Sequence, residues 1–386
     1  MQAKPCYQKT GIQGGNRALL NNENNKFRAL GVWEISRQHR KKEHIEFALN
    51  TTEYSVKNGF SDIYLVYEAL PDLNLEQIDT SLEFLGKRLK APLLINAMTG
   101  GHPDVEYINK SLARVAARAG IGMAVGSQTA GLEDPGVRNT YKIAREENPE
   151  GIILANVNAL TPPALVKEAI NMIGADGVQL HLNVAQELAM TEGDRNFRGV
   201  LTNIEKVVTL SNVPVIVKEV GFGLSRETAK RIYDVGVRYI DVSGKGGTDF
   251  IKIEFARSSQ GCLGKFQNIG ISTAASLIEA LSLDLPFSVL ASGGFTGESD
   301  VTCALVLGSK LVGMAGHFLQ VLHNSSEKGL NDRVDRIIED LRRSMLMVGA
   351  ASLEELSKKP VVITGITAEW LLRRGVDINK YSRSRE

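Results

Sequence analysis

The sequence predicts an α/β protein of the (β/α)8, or TIM-barrel, class. Three observations lead there. Short apolar runs recur eight times over roughly 220 residues, helical patterns separate them, and each run ends in polar residues or glycine. The runs are "LLINA" (93–97), "IGMAV" (121–125), "IILANV" (152–157), "GVQLHL" (177–182), "VPVIVKE" (213–219), "RYIDVSG" (238–244), "FSVLASG" (287–293) and "KLVGMAG" (310–316). A doubly wound open sheet is the competing architecture, but no G-x-G-x-x-G follows the first run and eight repeats close a barrel.

Between the runs, helix starts are legible. Asp134-Pro135 and Thr161-Pro162 place a capping residue before a proline at the first helical position. "SRETAKRIYDVG" has Ser225 as a cap and Gly236 at its end. Residues 61 to 90 precede the barrel, and the helical pattern from "NDRVDRIIEDLRRSMLMVG" onward finishes the outer ring or covers one end. Residues 1–36 read as an N-terminal extension outside the fold, polar, Asn-rich and disordered in large part. Residues 37–386 form a single barrel domain with an N-terminal substrate-binding segment and C-terminal helices.

Composition narrows the function classes. The chain has 386 residues, a formal charge of +1 and 43% hydrophobic residues, which gives no reason to expect nucleic acid or an anionic membrane as partner. Cys6, Cys262 and Cys303 are too few and too widely spaced for a disulfide framework or a zinc site. No apolar run approaches the ~20 residues of a membrane span. The first residues lack the apolar segment of a signal peptide, so the expected location is cytoplasmic.

In a barrel, the C-terminal strand ends build the active site. Here they deliver Ala97, Met98 and Thr99; Ser127; Asn156; His181, Asn183, Gln186 and Glu187; Lys218; Ser243 and Thr248; Gly293 and Gly294; and Ala315 and Gly316. The glycine-rich ends of strands seven and eight fit a phosphate site made of backbone N–H groups. Lys218 follows apolar residues and is read as a cation aimed into the site, to stabilise a reduced flavin at N1–C2=O or to form a Schiff base. Glu187 is either a Mg2+ ligand or a helix-start carboxylate, and His181 either a hydrogen-bonded barrel residue or a catalytic one. Asn183 is a candidate substrate contact at the same strand end. Before the barrel, "HRKKEHI" carries Arg40, Lys41 and His44, a cationic cluster suited to pyrophosphate.

Together, "RKKEHI", "NAMTGG", "GSQ", "HLNVAQE", "VKEVGFG", "SGKGGT" and "SGG" resemble the type 2 isopentenyl-diphosphate isomerase family, in family order over about nine-tenths of the chain. "HLNVAQE" and "RKKEHI" are the specific part, because many FMN barrels share the others. The resemblance implies an FMN-binding barrel, Mg2+, reduced flavin with NADPH as outside reductant, and a homotetramer or homo-octamer. It implies that the double bond of isopentenyl diphosphate moves with no net redox. By position, Arg40 and Lys41, with His44 beside them, would bind the diphosphate. Ala97, Met98, Thr99, Ser127, Asn156, Lys218, Ser243 and Thr248 would line the flavin, and Gly293, Gly294, Ala315 and Gly316 would hold its phosphate. Gln186 would face the substrate and Glu187 would hold Mg2+; the protons would pass through flavin N5 or Gln186. The family's arginine after "SGG" and one apolar residue is Thr296 here, and the extension before Arg40 is longer than usual. The rival functions are a net-redox FMN barrel, such as a 2-hydroxy-acid oxidase or dihydroorotate-type dehydrogenase, and a non-catalytic flavin scaffold. An IMP dehydrogenase-like reading lacks its nucleophile, since "SGKGGTDF" holds no cysteine.

Overall fold

The computed structural model describes residues 57–191, 193–258 and 269–385. Eight parallel strands close into a barrel: Leu93–Ile95, Gly122–Ala124, Ile153–Asn158, Gly177–Leu182, Val215–Glu219, Tyr239–Asp241, Ser288–Ser292 and Leu311–Met314. Seven lie inside their apolar runs, and the third extends one residue past its run, to Asn158. The last strand pairs with the first in the register Val312 to Leu93, Gly313 to Leu94 and Met314 to Ile95, which removes both sheet edges.

Helices cover the outside, beginning with Glu106–Ala119 after the first strand. Gly120 and Gly174 end the helices after strands one and three in the left-handed conformation, at φ 65° and 55°. The expected caps at Asp134 and Ser225 accept from Gly136 N and Thr228 N. Thr161 is one residue too early. The helix after strand three is Pro163–Ile173, capped by Pro162 with no side-chain hydrogen bond, because Pro163 also suits the first turn. After the last strand, Gly316–Met347 runs as two helices meeting at a non-helical Ser326. No helix among the described residues is long and apolar enough to cross a membrane.

Inside the barrel, side chains two apart on a strand face the same way. Leu94, Leu154, Ile216 and Leu290 pack together toward the N-terminal end. Two residues further along the same strands come Asn96, Asn156, Lys218 and Ser292. A hairpin, Leu82–Phe84 with Lys87–Leu89, plugs the N-terminal end: Phe84 and Leu89 join the apolar layer, and Phe84 meets the Tyr239 ring edge-on at 5.8 Å. The barrel is therefore apolar and closed below, polar and open above. The sequence did not foretell a second closure outside the barrel, where Ile63–Leu65 pairs antiparallel with Val361–Ile363.

An ion triad ties the base of the barrel to its helices. Asp176 accepts from Arg145 Nη2 at 2.6 Å and Ile153 N at 2.9 Å, and Lys87 Nζ lies 2.6 Å away. Burial pushes the Asp176 carboxyl up, but Lys87, the Ile153 amide and Arg145 together hold it below the usual range. A depressed carboxylate stabilises the fold above its unfolded pKa and loses that contribution as pH falls through its folded pKa. Asp176→Asn should cost about 1–2 kcal/mol at neutral pH, at the low end because the pairs are partly wet. Urea unfolding of both proteins should show the gap narrowing below about pH 4.

Candidate active site

A cavity opens at the C-terminal mouth of the barrel, with about 1370 Å³ of empty space continuous with solvent. Ala97, Met98, Ser127, Asn156, His181, Gln186, Lys218, Ser243, Thr248, Gly293, Gly294, Ala315 and Gly316 all line it. Residues from all eight strand ends thus meet in one space because the strands are parallel and closed. Thr99 lies a layer back, 2% exposed, with its hydroxyl unpartnered and its carbonyl accepting from Gly126 N and Asn109 Nδ2. Arg40, Lys41 and His44 lie outside the described residues.

Asn183 and Glu187 stand beside the cavity rather than in its wall. Asn158 Nδ2 donates to Asn183 Oδ1 at 2.9 Å, and Asn183 Nδ2 donates to Glu187 Oε1 at 2.8 Å. Glu187 Oε2 accepts from Asp194 N at 2.8 Å. Asn183 faces a second, largely apolar space that shares His181 with the first. His181 Nδ1 lies 2.9 Å from Asn156 Oδ1, which fixes the ring.

Lys218 is 5% exposed, and its Nζ donates to Glu219 O at 2.8 Å. Burial pushes its pKa down, opposed by the charges of Asp241 and Glu219. Burial pushes Glu219 up to about 7, against the pull of the Phe222, Gly221 and Val220 amides and of Lys218. Three buried polar residues of the barrel interior escaped the sequence reading: Asn96, Gln179 and Asp241. Gln179 and Asp241 lie among apolar residues inside the runs "GVQLHL" and "RYIDVSG". The signal was a polar residue at an inward position of a buried strand.

The mouth also holds a cradle. Gly293 and Gly294 have φ of 110° and 81°, and a Cβ on either would collide with the carbonyl oxygens of Gly244 and Gly246. Only glycine fits, so backbone meets backbone there. The amides of Gly293, Gly294, Ala315 and Gly316 donate to no other described residue. Converging, uncommitted N–H groups at a helix start suit a phosphate. Where an arginine was expected after "SGG", Phe295 packs on Phe60 at 4.9 Å, and Arg333 reaches back from the long helix to Thr296 O at 2.6 Å.

The FMN-dependent dehydrogenase family model matches residues 158–363. A putative lactate oxidase of Pediococcus acidilactici superposes with TM-score 0.62 at 17% identity, covering 83% of this chain and 87% of its own. A mandelate oxidase with an FMN adduct gives TM-score 0.60 at 17% identity, covering 83% and 92%. These two likenesses establish the fold. The cavity and the uncommitted amides fit an FMN whose phosphate would sit in the cradle. Gly294→Ala should leave the circular dichroism spectrum intact and weaken FMN by more than about tenfold, or ~1.4 kcal/mol. Riboflavin, which has no phosphate, should lose less in the same fluorescence titration.

Closer relatives align along almost their whole length. The isopentenyl-diphosphate delta-isomerase of Moorella thermoacetica is 50% identical over 337 residues, covering 87% of this chain and 96% of its own. That of Bacillus licheniformis is 46% identical over 349 residues, covering 90% and 99%. With that identity laid over a barrel whose strand ends converge on one cavity, the chain belongs to the isopentenyl-diphosphate delta-isomerase family, built on the FMN-dependent dehydrogenase fold.

Proposed function

We propose that this protein interconverts isopentenyl diphosphate and dimethylallyl diphosphate in isoprenoid biosynthesis, moving the double bond without net oxidation. One observation carries the reading. The cavity that meets the glycine cradle also takes in Gln186, His181 and Lys218, the polar groups of the family-specific strand ends. Reduced FMN, when bound, supplies proton-carrying chemistry at N5 and negative charge at its N1 edge.

The chain's own residues do the remaining work. Gln186 is a neutral hydrogen-bonding group at the cavity wall, suited to orienting the alkene and relaying a proton without holding a charge. His181, held by Asn156, marks the other side of the same strand end. Lys218 would set a cation beside the flavin's pyrimidine edge and stabilise the charge of its reduced form. The buried walls exclude bulk water and strengthen those charge interactions. Arg40, Lys41 and His44 would bind the diphosphate, with Asn183 at its inner end.

Glu187 would hold Mg2+. A single carboxylate is enough when water and the substrate's phosphate oxygens complete the shell. NADPH serves as the outside reductant, and the protein works in the cytoplasm as a homotetramer or homo-octamer.

Turnover tests the reading directly. With FMN, Mg2+ and isopentenyl diphosphate, one reduction by NADPH should support many product molecules, while the oxidised protein should be inactive. Consumption of one NADPH per product would instead place the chain with the net-redox FMN barrels. Glu187→Gln should lower the isomerisation rate, with partial recovery in excess Mg2+ and little change in FMN affinity. A variant with ordinary rate and Mg2+ dependence would leave Glu187 as a helix-start residue.

A further inference from the structure

A carboxylate lies deep in the barrel, beside Lys218, where packing alone would favour an apolar side chain. Asp241 has no exposed surface. Its Oδ2 accepts from Asn96 Nδ2 at 2.7 Å. Its Oδ1 accepts from Ser292 Oγ at 2.7 Å and from Ser243 N at 3.2 Å. Behind it, Gln179 Nε2 donates to Asn96 Oδ1 at 3.0 Å, and that oxygen also accepts from Ala97 N. Asn96 is therefore locked with its NH2 toward Asp241. Every contact to the carboxylate is a donor, the pattern that an ionised carboxylate accepts.

This arrangement is costly. A buried charge needs its partners in place, and an apolar residue would fill the layer without desolvation cost. Leu94, Leu154, Ile216 and Leu290 do so just below. Gln179 even leaves its Oε1 without a partner. Four strands or strand ends contribute to the network, and none of its members is needed to close the barrel.

Register gives the carboxylate a target. Asp241 is the cross-strand partner of Lys218, whose other strand neighbour is His181. Three titratable groups surround Lys218: Asp241 from the sixth strand, His181 from the fourth and Glu219 next to it in sequence. The Glu219 carboxylate is turned to the amides of Val220, Gly221 and Phe222. Asp241 makes no ion pair with a described residue, so it acts on the buried ammonium through space at low dielectric, where such charges matter most.

We propose that Asp241, oriented by Asn96, Ser292 and Gln179, is a positioning residue that keeps the buried Lys218 in its ammonium form at the cofactor's edge. The proposal rests on the reading that Lys218 faces FMN, and it extends that reading to what makes the lysine effective. A neutral lysine could not stabilise charge on the reduced cofactor, so the carboxylate behind it would set the reduction potential at one remove.

Redox titration of the FMN-bound protein tests it, with Asp241→Asn, Lys218→Met and the double variant compared over a range of pH. Asp241→Asn should lower the midpoint potential, as Lys218→Met does, and the effect should grow toward high pH as the unsupported lysine loses its proton. The double variant should fall no further than Lys218→Met alone, because both changes remove the same charge. A raised potential in Asp241→Asn, or an equal shift with and without Lys218, would show Asp241 acting on the flavin directly and overturn the proposal. So would an unchanged potential accompanied only by a lower melting temperature. Should Asp241→Asn fail to fold, Ser292→Ala, which removes one donor from the carboxylate, should give a smaller fall that disappears in the Lys218→Met background. An unchanged potential in Lys218→Met itself would sink the placement of Lys218 at the flavin, a separate failure from that of Asp241.

Discussion

Everything at this site depends on the closure of the last strand onto the first. The register of Val312 on Leu93 and Met314 on Ile95 brings the loops after strands seven and eight next to the loop after strand one. Without it the glycine amides, Met98 and Lys218 would lie along an open row instead of around one mouth. Closure also consumes the edge hydrogen bonds that an open sheet would leave unpaired. The hairpin carrying Phe84 and Leu89 fills the opposite end.

Within that frame, close backbone contact shapes the loops after strands six and seven. The loop 244–247 lies directly against Gly293 and Gly294, too close for any Cβ between them. Ser243, just before that loop, is held at φ 36°, a conformation that a non-glycine residue adopts at a cost. The strain falls where the sixth strand must turn sharply to present its loop to the cavity. Such a turn is sustained because the Ser243 amide is tied to Asp241 and its carbonyl to Gly223.

The interior charges form a graded set. Asp241 is wholly buried and saturated with donors, Glu219 is buried against a run of amides, and Lys218 stands between them at the cavity wall. Charges interact weakly in water and much more strongly in a buried, low-dielectric interior.

The sequence by itself determined the strand count, the strand positions to within about two residues, the helix caps at Asp134 and Ser225, and the side chains at the strand ends. These are local signals: a short apolar run, a capping oxygen, a glycine after a helix. Most of the strand-end residues expected at the site do meet in one cavity, since parallel strands in a closed barrel leave their C-terminal ends no other place to go. Tertiary structure decided the rest. It put Thr99 behind the wall and turned Asn183 toward the neighbouring apolar space. It brought Arg333 of the long helix to the carbonyl of Thr296. It also joined Asn96, Gln179, Asp241 and Ser292, far apart in the chain, into one buried network. A polar residue inside an apolar run announces only that it needs a partner; which partner it finds is fixed by the register at which the strands close.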